Sequence, residues 1–321
     1  MNNTVLLTQA QYLHDSVVYN TVIWSKLFLT FVSIPLLVSI RKYKRKLLVH
    51  ESLLILMRFH YYYVFFLVIT CGIDFGLTLY SYTSQNVNDY VVSCAELFAR
   101  RYPQLLAAYG TLTTMFMMSV ERYAATTKFR TYERSRKNTI YFWLHFLMIL
   151  SMTPLTLAAF DFGALYPVST GVPAGGQVYH QIIAVPLTLI EFTTMYLFES
   201  SYSLSIAQSK RTGFSLSERY QITENIRILE LMRPIARFHG AIACAVTVVY
   251  FLFGRSMEGQ PSYPIFEESI NFFQLQGILL PLIFMRHERK ERSRIAAQLD
   301  SNKSTSDDFA TRYAAEIMKG W

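Results

Sequence analysis

In a chain of 321 residues, 52% apolar and 16% charged residues leave more apolar surface than a water-soluble core can bury. Its 22 Tyr and 24 Phe suit rings that anchor helices at membrane interfaces. Three cysteines are too few for a disulfide framework or a thiolate metal site, and the formal charge of +8 raises nucleic acid as a partner, to be decided by where the charge sits.

The amino end has no basic stretch followed by a short apolar core and a small-residue cleavage site, which predicts direct insertion rather than a cleaved leader. Asn2-Asn3-Thr4 on this segment is a glycosylation sequon. Seven apolar runs then follow, at 18–40, 52–80, 104–122, 139–160, 180–206, 234–254 and 264–285, each near the roughly 20 residues that a spanning helix needs. The second is longer than a bilayer requires and is expected to tilt or to project near Gly72 and Gly76.

The basic residues orient these runs. Of 30 Lys and Arg, 24 fall in 41–51, 122–138, 207–233 and 286–321, while the amino end and the alternate loops hold three. This alternation predicts an all-α bundle of seven transmembrane helices with the amino end extracellular and the carboxyl end cytoplasmic. The expected division is an outer amino end over 1–17, the seven-transmembrane domain over 18–285 and a cytoplasmic tail over 286–321. Juxtamembrane basic clusters on one side fit anionic inner-leaflet lipid, not nucleic acid. Lys26, Arg58 and Arg237, near span ends, are read as snorkelling. The tail around Ser301-Asn302-Lys303-Ser304 is polar and reads as flexible.

The inner end of the third run reads Ser119-Val120-Glu121-Arg122-Tyr123-Ala124-Ala125-Thr126. A long, permanently charged Arg122 can snorkel, pair with Glu121 or turn toward a protein that docks from inside. The plainer reading is a charged pair marking a helix end. An acid, an arginine and a tyrosine at this boundary resemble the acid-Arg-Tyr motif of rhodopsin-like receptors. Phe129-Arg130-Thr131-Tyr132-Glu133 follows it, and the third inner loop carries Arg219-Tyr220-Gln221-Ile222-Thr223-Glu224-Asn225. Both strings are similar to those of nematode serpentine chemoreceptors, the Sre class and its Sra, Srb and Srab relatives.

That resemblance implies a G-protein-coupled receptor in the plasma membrane, in the sensory cilia of chemosensory neurons. It would bind an external small-molecule cue and activate a heterotrimeric G protein, with pairing to a second receptor left open. Several rhodopsin-like features are missing. The seventh run has Leu280-Pro281-Leu282-Ile283-Phe284 in place of Asn-Pro-x-x-Tyr, the sixth has no Cys-Trp-x-Pro, and loop 161–179 has no cysteine.

For the switch, Arg122 is expected to pair with Glu121 and with Glu230, with Tyr123 and Glu224 beside them. Ser215-x-x-Glu218 fits a capping box that starts a cytoplasmic helix running into the sixth span as far as Pro234. Ionisable and amide groups inside spans are functional candidates by default, so a ligand pocket between the outer halves of the helices would draw on Asp74, Gln104, Glu191, Asn271 and Gln274. Glu96, Asp161, Glu267 and Glu268 also lie toward that side. The plainer reading for each is an interhelical hydrogen bond or a wet loop position. Cys71 and Cys94 both fall on the outer half, where a bond between them would tie the second helix to the following loop.

Nothing points to an enzyme, a cofactor or a metal. No two histidines stand four residues apart, no glycine loop cradles phosphate, and no Lys lies within 264–285 for a retinal Schiff base. The competing functions are a seven-helix transporter, whose internal repeat is not seen, and an odorant-gated channel, whose amino end would be inside.

Overall fold

The computed structural model describes residues 3–40, 51–84, 87–128, 138–158, 160, 162–167, 177–257, 260–271, 273–294 and 296–297. Asn2 of the sequon, Asp161, Gly175, Gly176 and residues 41–50, 129–133 and 301–308 lie outside these. A helix α1 (Asn3–Asp15) precedes the first apolar run, which is α2 (Val17–Ile40). After α3 (Glu51–Ser81) come a short 3-10 turn, the strand β1 (Val91–Ser93) and α4 (Cys94–Thr127). Next are α5 (Asn138–Ala158), β2 (Leu165–Pro167), α6 (Gln177–Ser209) and α7 (Leu216–Met257). The last apolar stretch begins as α8 (Tyr263–Ile270), passes through the 3-10 turn Phe273–Leu275 and continues as α9 over 276–294.

Four of these stretches are both long and apolar enough to cross a membrane: α2, α3, Glu218–Gly254 within α7, and Tyr263–Arg294. The helices α4 and α6, at 34 and 33 residues, have the length but more polar sequences, and the apolar part of α5 is the short run Trp143–Ala158. Polarity in α4 has a structural cause. It touches α3, α5, α6 and α7, so its Thr111, Thr113, Thr114 and Ser119 are buried against neighbours and bond back to its own carbonyls. Large rings and aliphatics face outward instead: Phe28, Phe31, Trp143, Leu150, Tyr196 and Leu252 are each half exposed or more. A water-soluble bundle would reverse this pattern, whereas lipid makes it stable.

The core divides by depth. The half that bears Arg122 packs Leu56, Met115, Phe198, Met232 and Leu280 together, and the half that bears α1 packs Leu13 on Tyr19, Phe75 and Ala107. At Gly110 the α3–α4 approach is so close that a β-carbon would strike the Tyr63 ring, the small-residue contact expected of membrane helices. Gly213, in the turn between α6 and α7, has φ 92°, a conformation that glycine adopts without steric cost.

Several expectations are corrected. The third span starts at Cys94, ten residues before Gln104, because Ser93 Oγ caps it by accepting from Glu96 N at 3.2 Å and Pro103 lies inside the helix. Pro234 likewise ends nothing, since α7 runs unbroken for 42 residues. Its start is the expected capping box: Ser215 N donates to Glu218 Oε2 at 2.8 Å and Glu218 N to Ser215 Oγ at 3.3 Å. The seventh span is broken at Asn271, whose ψ of 92° leaves the helix.

Cys71 and Cys94 are both buried thiols, not a disulfide. They belong to different clusters, Cys71 with Leu67 and Phe75, and Cys94 with Val92, Leu97 and Phe160. The loop before α4 is tied by backbone to a different partner, the loop after α5. β1 pairs antiparallel with β2, Val91 opposite Pro167 and Ser93 opposite Leu165, and Cys94 N donates to Ala164 O at 3.2 Å.

The amino-terminal helix was not anticipated either. Leu6, Ala10 and Leu13, spaced on one helical face, are buried. The His14 ring stacks on Tyr90 at 4.8 Å. Hydrogen bonds from Gln11 and His14 hold the Asp15 carboxyl below the usual carboxylate range.

Candidate functional site: an outer cavity and an inner lock

Between α3, α4, α6, α7 and the broken seventh span lies a cavity of about 210 Å³. Gln104 and Asn271 line it. The other three expected residues do not. Asp74 is buried behind the wall, with its carboxylate 3.3 Å from Arg101 Nη1. Gln274 is buried in the 3-10 turn beside the Cys71 thiol. Glu191 is fully buried one turn inward of Thr188, and neither carboxylate oxygen has a hydrogen-bond partner among the described residues. The break in the seventh span has its explanation here, because Ile270, Asn271 and Phe273 all face the cavity and non-helical backbone at membrane depth is tolerated where it lines one.

One end of the cavity is built from charge. Lys26 Nζ lies 2.6 Å from Glu268 Oε2, Arg101 Nη2 lies 2.7 Å from Glu268 Oε1, and Arg101 also meets Asp74. These four side chains come from α2, α3, α4 and α8, and each is at least nine-tenths buried. Two cations thus face two carboxylates, which is how ionic groups are kept inside a membrane protein. Sequence reading missed this network for specific reasons. In sequence, Lys26 near a span end reads as a snorkelling residue, and Arg101, just before Pro103, reads as part of a loop.

The opposite wall is hydroxylic. Thr188 and Thr247 share a hydrogen bond of 2.8 Å between α6 and α7, and the Tyr250 and Tyr263 hydroxyls bond to each other between α7 and α8. Below them the lining is apolar, with Leu67, Ala108, Leu112 and Ala243.

At the inner end, Arg122 is 2% exposed. Its Nε and Nη2 donate to the two Glu121 oxygens at 2.5 and 2.6 Å, as expected. Its link across the bundle differs from expectation: Nη1 donates to Asn225 Oδ1 of α7 at 2.8 Å. Glu230 instead reaches Lys290 Nζ on α9 at 3.4 Å. The reason is depth: Glu230 lies more than a turn further along α7 than Asn225, on the side that meets α9. Arg227 joins Glu291 of α9 at 3.1 Å, and Arg233 and Arg237 both hold Glu199 of α6. Glu224 is partly buried next to Asn225, and Tyr123 is 41% exposed on the outside of α4. Asn225 stands in the quoted loop string beside Glu224, and its uncharged amide gives no signal in sequence of a link to Arg122.

Among the described residues no group of three or more His, Cys, Asp or Glu is arranged to hold a metal. The same helices α4 and α7 carry both a partly open cavity and a buried polar clasp.

The sequence matches known proteins. A family model described as serpentine type 7TM GPCR receptor class ab chemoreceptor matches residues 7–321. The Caenorhabditis elegans serpentine receptor class beta-16 is 27% identical over 201 residues, 58% of this chain and 56% of that protein. The serpentine receptor class alpha/beta-14 of the same organism is 24% identical over 169 residues, 50% of this chain and 43% of that protein. The chain thus spans about half the length of the curated relatives it matches. Within the group that the two inner-loop strings resembled, the family model that matches is that of class ab. The chain belongs to the class ab serpentine family of seven-transmembrane chemoreceptors.

Proposed function

We propose that this chain detects an external small molecule in its outer cavity and passes the signal to a heterotrimeric G protein at its inner face. The observation that carries this reading is the continuity of α7. One helix of 42 residues bears Ala243, Thr247 and Tyr250 on the cavity wall and Asn225 on the Arg122 clasp. Asn225 and Thr247 are separated along it by about 33 Å at 1.5 Å per residue. A ligand that wedges Thr247 from Thr188 tilts α7 as a rigid rod, and tilt at that distance pulls Asn225 from Arg122.

The mechanism is a two-state element. The clasp, with Arg227–Glu291 and Glu230–Lys290 beside it, favours the closed arrangement, and a ligand shifts the balance only by binding the open one more tightly. Arg122, once released, presents a fixed positive charge to a partner docking from inside. The distribution of basic residues supports an amino end outside and a tail inside, in the plasma membrane and, by family, in sensory cilia.

The test is expression in cultured cells with a G-protein readout, screened against water-soluble and volatile attractants and repellents. A cue-evoked, nucleotide-dependent response supports the reading. Cue-evoked current that persists without any G protein overturns it.

A further inference from the structure

If the cavity between α4, α7 and α8 is a receptor's ligand site, as proposed above, its charges decide what it takes. Among the described residues its lining has three charged side chains, Arg101, Glu267 and Glu268. Lys26 and Asp74 stand behind them, Lys26 paired with Glu268 and Asp74 with Arg101. The group holds two cations against three carboxylates. Arg100 and Glu96, next along α4, pair with each other and leave the difference as it is. One negative charge is in excess.

That excess falls on Glu267. Lys26 and Arg101 balance Asp74 and Glu268, which are buried, whereas Glu267 is only partly buried at the cavity wall. Arg101 attracts Glu267 as well, but that guanidinium already meets two other carboxylates. Glu267, Ile270 and Asn271 stand three and four residues apart on α8 and its cap. One helical face therefore brings a carboxylate and an amide to the cavity together.

Each ligand charge gives a different balance. An anion would set four negative groups against two positive, where a low dielectric strengthens every repulsion. A neutral molecule would leave the excess in place and remove water that solvates Glu267. An ammonium group beside Glu267 makes three cations and three carboxylates, the pairing by which charge is kept inside a membrane protein. A bare metal ion lacks ligands, since among the described residues no group of three or more His, Cys, Asp or Glu is arranged to hold one.

Size and polarity describe the rest of the ligand. At about 210 Å³ the cavity is smaller than the roughly 300–1,000 Å³ of drug-sized sites. A cavity of about 150 Å³ takes benzene, so the same ratio gives room here for about eight or nine non-hydrogen atoms. From Arg101 to Leu112 the lining runs about 16 Å along α4 at 1.5 Å per residue. Its far end is apolar, with Leu67, Ala108, Leu112 and Ala243. Tyr109 and Phe273 add aromatic rings, which suit a flat apolar body and whose faces attract cations.

The approach to the cavity has the same sign. With the amino end outside, the segments 1–17, 81–103, 161–179 and 255–268, with Lys26 and Asp74, hold eight Asp and Glu against four Lys and Arg. A negative outer face concentrates cations at the entrance and speeds their arrival.

We propose that the cavity binds a small monoamine in its protonated form, with its ammonium group on Glu267 and its apolar or aromatic body toward Leu112. The ammonium donates to the Glu267 carboxylate and to the Asn271 side-chain oxygen.

The experiment measures equilibrium binding to the full chain in nanodiscs of zwitterionic lipid, with empty nanodiscs subtracted. Three probes share one skeleton and differ in charge: 2-phenylethylammonium, 2-phenylethanol and phenylacetate. The ammonium is expected to bind about ten-fold more tightly than the alcohol, and phenylacetate more weakly than either. Glu267→Gln should lower the amine's affinity to the alcohol's and leave the alcohol's unchanged. Asp89→Asn removes an exposed outer acid that does not line the cavity, and should change neither. Ala243→Phe fills the cavity and should erase binding of both; Ala108→Leu serves if that variant does not fold. An amine affinity no better than the alcohol's overturns the proposal. So does an amine preference that survives Glu267→Gln or falls equally with Asp89→Asn.

Nucleotide exchange on a co-expressed G protein, read in parallel, separates the two readings. Glu267-dependent amine binding without exchange would leave the ligand class standing and overturn the receptor reading. Exchange evoked by phenylacetate or 2-phenylethanol but not by the amine, and lost on filling, would do the reverse.

Discussion

Lys26 Nζ lies 2.6 Å from Glu268 Oε2, a contact between residues 242 positions apart that fastens the first span to the seventh. Glu268 is also the acceptor for Arg101, so one carboxylate holds together helices from both ends of the chain. The bundle is closed at its outer end by a charge network, where a soluble protein would use apolar packing.

Breaking that network on one side should be costly. Lys26→Met strands Glu268 with a single cation, and loss of one partner of a buried pair typically costs about 3–5 kcal/mol. The expected outcome is a much lower unfolding midpoint and reduced surface abundance. Adding Glu268→Gln to Lys26→Met leaves Arg101 and Asp74 as a balanced pair and should recover part of the loss. Strict additivity of the two substitutions in a double-mutant cycle would show the pair to be uncoupled.

Gly110→Ala should also destabilise the fold, by about 1–3 kcal/mol as overpacking does. The Tyr63 ring that it strikes is tethered, its hydroxyl 3.2 Å from His145 Nε2, and cannot swing aside without losing that bond. Gly76→Ala is the control. Nothing lies within 4 Å of the added carbon, so its unfolding midpoint should match the parent's.

Cys71 and Cys94 should both react with maleimide when the receptor is denatured without reductant. Peptide mass spectrometry should find each thiol labelled to the same extent with and without prior reduction. A Cys71–Cys94 bridged peptide would contradict the packing that separates them.

The apolar runs, the inner-loop strings and the capping box at Ser215 and Glu218 were legible in sequence because each rests on local spacing. The network at Lys26, Arg101 and Glu268 was not. Its members are distant in the chain, and each has an ordinary local reading as a snorkelling or loop residue. The clasp was half legible: Glu121 adjoins Arg122, but the choice of Asn225 over Glu230 depends on how far α7 slides past α4, a matter of tertiary packing. The β1–β2 pairing was hidden for a similar reason, since strands of three residues carry too little pattern to recognise. Pro103 and Pro234 misled because proline breaks helices in water more surely than in a packed membrane bundle.

Orientation gives an independent check. An epitope tag at Asn2 should be stained on intact cells, and one placed after Trp321 only after permeabilisation, as the basic residues clustered on alternate loops require. Staining of the amino-terminal tag only in permeabilised cells would invert the topology and move the cavity to the cytoplasmic side.

The clasp between Arg122 and Asn225 is the centre of the account, and basal nucleotide exchange measures it most directly. Membranes carrying the parent receptor, Asn225→Ala or Arg122→Ala at matched surface abundance are compared without any added cue. A hydrogen bond to a charged group is worth about 1.5 kcal/mol at the low end, so its loss should shift the closed-to-open ratio roughly ten-fold. Asn225→Ala should therefore raise basal exchange several-fold, and Arg122→Ala should give none above background because the released charge is missing. Basal exchange at the parent's level in Asn225→Ala, together with normal signalling by Arg122→Ala, would contradict the account.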